Sequence, residues 1–257
     1  MNKVKGAILA GGYGTRLKPL TLFDNKHLVE VGNNKMVYYP IKRLEQMGIK
    51  DIRIITGPEY AGDFCKYLSS FIFDEKNCVV KKKFSNLNFS VRVQEEAGGI
   101  PQAMALTQDF IDEGHLVCIL GDNLHTKPIN LNANKLEKDT AYCVITQVPD
   151  PNPFGVCKFD DKNNLIDIIE KPDKQGMKAP SNWIVTGCYV LPCPEAFEVI
   201  KKLKPSWRNE LEIADLLNYF LKKGKLKAIK YDGKWLDMGS SLQHLQNAFT
   251  LSKEFKE

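Results

Sequence analysis

The segment Leu9-Ala-Gly-Gly-Tyr-Gly-Thr-Arg-Leu17 gathers into one turn the residue types that handle phosphate. Gly11, Gly12 and Gly14 accept positive φ and present no side chain, so a polyphosphate can lie against consecutive backbone N–H groups. Arg16 adds a cation where those phosphates carry charge. The spacing is not G-x-G-x-x-G, because Leu17 stands where the third glycine belongs, and no Gly-Lys-Ser/Thr follows to make a Walker loop. A glycine turn joining a strand to a loop is the plainer alternative, but it leaves the arginine unexplained. Lys26 supplies a second cation ten residues further on, in a stretch that Pro19 and Asp24 mark as loop. A solvated lysine is the ordinary occupant of such a place; the neighbouring glycine loop is what gives this one interest.

Carboxylates close two apolar runs. Cys118-Ile-Leu-Gly-Asp122-Asn123 ends in one, and Trp235-Leu-Asp237 ends in another. Magnesium is held by one or two carboxylates together with substrate phosphates, so two strand-end aspartates match the protein's share of such a site, although each alone is equally a turn residue. Gln94 follows Val93 with an amide that can give and accept hydrogen bonds along a base edge, and Gly99 lets a base approach the backbone. A loop leading into a helix with Pro101 in its first turn accounts for the same residues. Glu170 can accept from vicinal sugar hydroxyls while Lys171 neutralises a phosphate, yet Glu170-Lys-Pro172 also reads as an exposed turn. The four histidines, at 27, 115, 125 and 244, lack metal-ligand spacing, and no Ser/His/Asp arrangement is present.

The elements that must position these groups alternate. Strands at Val4–Leu9, 52–55, 89–93 and 116–120 are separated by helical patterns at about 37–47, 61–68 and 100–111, the rhythm of βαβ units. Ligands of such sheets sit beyond the carboxyl ends of the strands, so the residues after Leu9, Val93 and Leu120 are where chemistry belongs. Later segments are β-rich, at 141–148, 155–159, 165–169 and 184–190. Helices follow at 194–203 and 210–221, then a strand from Leu226 and a helix at about 241–255. The expected fold is α/β, with a Rossmann-like, mixed but mostly parallel central sheet and helices on both faces. No linker or repeat divides the 257 residues, which read as a single domain.

A hydrophobic content of 43% suffices for a large core. The net charge of +5 comes partly from runs at Lys81, Lys82, Lys83 and at Lys222, Lys223, Lys225, Lys227, which read as a solvated basic surface. Without interleaved aromatics or a reader motif, no nucleic acid is expected, whereas small polyanionic substrates suit the charge. Seven cysteines, at 65, 78, 118, 143, 157, 188 and 193, form no C-x-x-C pair and read as reduced core residues. The apolar N-terminal stretch is too short for a signal and no 18-residue apolar span occurs, so a cytoplasmic protein with no membrane partner is expected.

Taken in order, the glycine-arginine loop, Lys26, Gln94 with Gly98-Gly99, Leu120-Gly-Asp-Asn123, Phe154-Gly-Val156, Glu170-Lys-Pro172, Val185-Thr-Gly187, Glu210-Leu-Glu-Ile213 and Trp235-Leu-Asp237 resemble the sugar-nucleotide pyrophosphorylases, above all their glucose-1-phosphate thymidylyltransferase branch. The likeness covers roughly residues 4–250 and resembles the short members, which lack a C-terminal helical extension. It implies a nucleotidyltransferase-type fold with a nucleotide-binding half, 1–125, and a sugar-phosphate half, 126–257, sharing one core.

The resemblance further implies nucleotide binding by Leu9, Gly11, Gly12, Gly14, Thr15 and Arg16, with Gln94 and Gly99 reading a pyrimidine. It implies magnesium on Asp122 and Asp237, sugar-phosphate contacts from Gly155, Glu170, Lys171 and Val185, and catalytic charge stabilisation by Arg16, Lys26 and Lys171. The substrates it implies are a nucleoside triphosphate, dTTP foremost with UTP or CTP as alternatives, and a sugar 1-phosphate. A catalytically silent sugar-nucleotide sensor should have lost Arg16, Lys171 or an aspartate, and all four are present. The chain departs from the family's frequent pattern at Glu30, often proline, at Phe154, often tyrosine, and at Asn209, often glycine. Oligomeric state stays open, a homo-oligomer included.

If Arg16 meets charge developing on departing pyrophosphate, Arg16→Ala lowers kcat by about 10²–10³ in steady-state kinetics. A raised KM at unchanged kcat would instead assign it to ground-state binding.

Overall fold

The computed structural model describes residues 3–71, 73–74, 79–80, 84 and 86–256. The lysine run at 81–83 and Cys78 lie outside them. Strand β1 (Val4–Ala10) runs through the middle of the sheet, parallel to neighbours on both sides, and is apolar nearly throughout because both of its faces are covered. A two-residue hairpin, β2 (Glu30–Val31) with β3 (Asn34–Lys35), precedes helix α1 (Tyr38–Gln46). Next come β4 (Asp51–Thr56), α2 (Ala61–Ser69), the short pair β5 (Phe73–Asp74) and β6 (Val79–Val80), β7 (Asn88–Val93), α3 (Ile100–Ala105) and β8 (Gly114–Leu120). The order β8-β1-β4-β7 is parallel throughout, so the strand ends that carry Leu9, Val93 and Leu120 share one edge.

The rest of the chain extends this sheet with mostly antiparallel strands and adds a separate two-stranded pair. It comprises β9 (Asn123–His125), β10 (Ala141–Gln147), β11 (Gly155–Phe159), β12 (Leu165–Glu170), β13 (Trp183–Cys193), α4 (Glu195–Ile200), α5 (Ile213–Lys222), β14 (Leu226–Lys230), β15 (Trp235–Asp237) and α6 (Leu242–Leu251). Long β13 pairs antiparallel with β8 and carries β11 and β12 beyond it, while β10 pairs β13 antiparallel and β14 parallel. Alternation along the strands splits the core into two faces. Ile8, Ile54 and Ile119 pack with Leu44 of α1, Phe64 of α2 and Leu245 of α6; Leu9, Ile55 and Cys118 pack with Met104 of α3, Phe197 of α4 and Phe220 of α5. Helices therefore cover both faces of a mixed sheet. Among the described residues no helix is long and apolar enough to cross a membrane.

Three expectations need correction. The helix expected over 100–111 stops at Ala105, because the Thr107 hydroxyl donates to the Met104 carbonyl at 2.6 Å and Phe110 N–H turns back to Thr107 at 2.9 Å. Residues 210–212 are not helical, since Leu211 N–H donates to Gly98 at 2.9 Å and joins Gly99 in a parallel bridge. Cys65 is exposed on α2, whereas Cys118, Cys143, Cys157, Cys188 and Cys193 are buried free thiols.

The pair β9–β15, absent from the sequence reading, sets Asp237 opposite Asn123 and Trp235 opposite His125. It is held from below by Arg43 of α1, which is only 1% exposed. Arg43 donates to the His125 carbonyl from Nε at 2.9 Å and Nη2 at 2.7 Å, donates to the Lys256 carbonyl at 2.8 Å, and stacks 3.9 Å over the Phe255 ring. Burial pushes its pKa down to about 10, which leaves it cationic at neutral pH. Arg43→Met, which keeps the stem and removes the donors, takes both guanidinium hydrogen bonds from the buried His125 carbonyl, and we expect it to cost about 1–3 kcal/mol. A urea midpoint unchanged from the parent protein would show that these hydrogen bonds do not hold the pair in place.

Candidate active site

Past Ala10 the chain turns through Gly11–Gly14 into a single 3₁₀ turn, Thr15–Leu17. Gly14 has φ 63, and a Cβ there would lie 3.0 Å from the Lys26 Cβ and 3.1 Å from Thr21 Cγ2, so both conformation and space demand glycine. Fully buried Leu17 anchors the turn and leaves Gly12, Thr15 and Arg16 exposed, and Arg16 has no ion-pair partner among the described residues. Asn25 secures the returning segment, donating to the Ala10 carbonyl at 3.2 Å and accepting from His27 N–H at 2.9 Å. His27 packs beneath; burial, then the Lys26 charge, push its pKa down to about 3. Asn25 and His27 were not among the expected site residues, and their scaffolding role depends on the turn rather than on any motif.

Lys26 emerges from this turn and reaches across the glycine loop to the Asp122 carboxylate, with which it forms a close ion pair. Gly121 N–H donates to the Leu9 carbonyl at 2.9 Å, so the ends of β1 and β8 are joined directly. Asp122 accepts Met238 N–H on its own carbonyl at 2.8 Å, which brings the end of β15 alongside. Asn123 ties the parts together. Its Nδ2 donates to Asp122 Oδ1 at 3.2 Å, and its Oδ1 accepts from Gly187 N–H at 2.9 Å and from Trp235 Nε1 at 2.8 Å.

The two aspartates differ electrostatically. Burial opposes ionisation of Asp122, but the charge and hydrogen bond of Lys26, with His27 and Asn123, together outweigh it and hold the carboxyl down, to about 2. Among the described residues Asp237 has only the Gly239 N–H, at 2.9 Å, as hydrogen-bond donor to its carboxylate; burial and then the neighbouring Asp122 charge push it up to about 7. Two carboxylates thus share one ammonium, an excess of negative charge that a hard divalent cation would offset. Among the described residues no group of three or more His, Cys, Asp or Glu side chains could hold a metal. The pair therefore suits a cation that completes its shell with phosphate oxygens.

Gln94, at the end of β7, lies beside the loop, its Oε1 2.5 Å from where a Cβ on Gly11 would stand. Its Nε2 donates to Gln102 Oε1 at 2.6 Å, an orienting partner that the sequence reading missed. Gly99 has φ 97, and a Cβ would collide with the Leu211 backbone, so packing against that segment by itself requires glycine.

The remaining expected residues form a second group. Gly155 pairs in register with Glu170 across β11 and β12. Lys171, left-handed at φ 43, sets its ammonium 3.9 Å from Glu170 Oε1 and donates its backbone N–H to Phe154 at 3.0 Å. Val185 is buried in β13, next to Ile184, which pairs with Val156. Arg208, a lone arginine with no local signal, also belongs here. It approaches Glu170 at 3.7 Å and grips Glu212 through Nε at 2.9 Å and Nη2 at 2.5 Å. Burial, then Glu212, raise the Glu170 carboxyl, while burial, then Arg208, lower the Lys171 ammonium. Phe154 meets the Trp235 ring edge-on at 5.3 Å and so connects this group to the aspartates.

A glycine loop, two aspartates at converging strand ends and a second charged group around Glu170, Lys171 and Arg208 lie on a chain whose residues 5–253 match the sequence profile of the nucleotidyl transferase family; the chain belongs to that family. Among its relatives, the glucose-1-phosphate thymidylyltransferase of Neisseria gonorrhoeae is 37% identical over 245 residues, covering 92% of this chain and 78% of its own. That of Xanthomonas campestris is 36% identical, covering 93% and 78%. A Bacillus anthracis structure assigned as a glucose-1-phosphate thymidylyltransferase, solved with sucrose, superposes with a TM-score of 0.85 at 38% identity, covering 99% and 97%. A UDP-glucose pyrophosphorylase bound to UDP-glucose shares the fold, with a TM-score of 0.79 at 23% identity.

The raised Asp237 carboxyl has a signed consequence for stability. In chelator-treated protein the native state keeps a proton that the unfolded chain releases near 3.8, so Asp237 favours the fold below that value and ceases to do so as pH rises through about 7. Asp237→Asn removes the dependence, and its melting temperature should gain on the parent protein's between those values. A difference independent of pH would show that Asp237 titrates normally.

Proposed function

We propose that the chain transfers a nucleotidyl group from dTTP to glucose 1-phosphate, releasing pyrophosphate. The observation that carries this reading is the path of Lys26, whose stem lies against the phosphate-type glycine loop and whose ammonium meets buried Asp122, the first of the two aspartates. The thymidylyltransferase relatives support the choice of substrates.

In this reading an oxygen of the sugar 1-phosphate attacks the α-phosphorus, the bond from the α-phosphorus to its bridging oxygen breaks, and pyrophosphate leaves. A phosphate monoester is already ionised at neutral pH, so no general base is needed, and catalysis is positioning plus charge stabilisation. Backbone N–H groups around Leu9, Gly11, Gly12, Gly14 and Thr15 cradle the triphosphate, and exposed Arg16 offsets charge on the leaving group. Lys26 holds the α-phosphate. Lys171, with Arg208 beside it, holds the attacking phosphate, while Glu170, Gly155 and Val185 line the sugar. Asp122 and Asp237 would hold magnesium, which when bound draws charge from the phosphate oxygens. Residues 1–125 supply the nucleotide side and 126–257 the sugar-phosphate side of one domain, with Asp237 crossing over.

Because Gln102 takes one Gln94 amide hydrogen, Oε1 and the second hydrogen are left for a base edge with one donor and one acceptor. The N3–H and O4 of thymine or uracil fit that pattern, whereas cytosine and adenine reverse it. UTP is accordingly the second reading. Pyrophosphate release, measured across the nucleoside triphosphates and several sugar 1-phosphates with product masses, should show dTTP or UTP ahead of CTP, ATP and GTP. Gln94→Ala should cost about 1–3 kcal/mol in kcat/KM for the preferred nucleotide and flatten the ranking. A purine preference, or an unchanged ranking in the variant, would overturn the base assignment.

A further inference from the structure

Lys26 is gripped along its whole length. Its Cβ fills the space beside Gly14, its Cε and Nζ lie 3.4 and 3.5 Å from where a Cβ on Gly12 would stand, and its Nζ lies 2.8 Å from the corresponding point on Gly239. The same point on Gly239 is 2.6 Å from Asp122 Oδ2, the oxygen that the ammonium engages. Both side chains are largely withdrawn from water, at 14% and 12% exposure. The ammonium therefore stands between the phosphate loop and the aspartates, and the absent side chains at Gly12 and Gly239 give it room to lean either way.

A divalent cation on Asp122 and Asp237 claims that oxygen too. Two cations a few ångströms apart in a poorly hydrated pocket repel strongly, so the ammonium and the metal compete for Asp122. A phosphate on the glycine loop would offer the ammonium an anionic partner on the side away from the aspartates, within reach of its tethered stem. We propose that Lys26 guards Asp122 against metal ions arriving alone and yields it when nucleotide phosphate draws the ammonium toward Gly12. This rests on the reading of Asp122 and Asp237 as the metal-holding pair. The aspartates are thereby built to accept a metal with its nucleotide, and part of the cooperativity between the two ligands is carried by one side chain.

The test is Mn²⁺ binding to the full, nucleotide-free chain, followed by calorimetry and by the electron paramagnetic resonance signal of free Mn²⁺. Lys26→Met, which keeps the stem and removes the charge, should bind Mn²⁺ about tenfold more tightly than the parent, and Lys26→Gln should do likewise. Arg16→Met removes a nearby cation that does not touch Asp122, and it should change Mn²⁺ affinity far less. Equal tightening by Arg16→Met and Lys26→Met would overturn the proposal in favour of a general field effect, and no tightening by either Lys26 variant would overturn it outright. Asp122→Asn combined with Lys26→Met separates the two layers. Loss of Mn²⁺ binding there upholds the metal-holding pair whatever Lys26 does, whereas undiminished binding would remove the pair itself and the guard with it.

Discussion

Two carboxylates that share one ammonium in a largely dry pocket are the constraint around which this molecule is arranged. Asp122 stays charged because Lys26 sits on it, and Asp237 is pushed toward its protonated form because Asp122 is charged and water is scarce. Left to themselves, like charges so placed would drive their elements apart. They stay together because backbone does the holding: Met238 N–H on the Asp122 carbonyl, the β9–β15 register, and Arg43 beneath the His125 carbonyl. Electrostatic tension at the strand ends is thus borne by backbone hydrogen bonds around and beneath them.

The sheet makes that convergence possible. Parallel β8, β1, β4 and β7 deliver Asp122, the glycine loop and Gln94 to a common edge, as open α/β sheets do. Antiparallel β13 then returns along β8, and its Gly187 N–H meets Asn123 at the same edge. Asn123 is therefore the junction between the parallel part that carries the phosphate loop and the antiparallel part that carries Glu170 and Lys171. Through Trp235 and Phe154 the junction continues to the group of Glu170, Lys171 and Arg208, so the two ends of the candidate site are one packed unit.

Glycine has two separate uses around this edge. At Gly14 the positive φ and the proximity of Lys26 both shape the site, whereas at Gly99 the colliding atoms belong to the Leu211 backbone. A glycine pair that reads as an opening for a base is therefore also a seam between the α3 region and the segment leading into α5. The same seam explains why residues 210–212 are not helical despite a composition that suits a helix: Leu211 gives its N–H to Gly98, and Glu212 turns to Arg208. Tertiary partners here override local propensity.

What the sequence determined by itself was the alternation of elements and the chemistry of the strand ends. Apolar periodicity is a local signal, so β1, β4, β7 and β8 and helices α1 and α2 were legible within a residue or two, and Gly11 to Arg16, Lys26, Gln94, Asp122, Asp237 and Glu170-Lys171 stood out as candidates by type and place. Only the tertiary structure decided which of them meet. The pairing of three-residue β9 with three-residue β15 is too short for periodicity to reveal, yet it is what sets Asp237 beside Asp122. Arg208 and Gln102 carry no local signature, because an arginine in a loop and a glutamine on a helix look the same whether they face solvent or a buried partner. Likewise the ion pair that commits Lys26 to Asp122, and the burial that separates the acidities of Asp122 and Asp237, arise from distances across 96 residues of chain, and distance in space is what a linear order of residues does not contain.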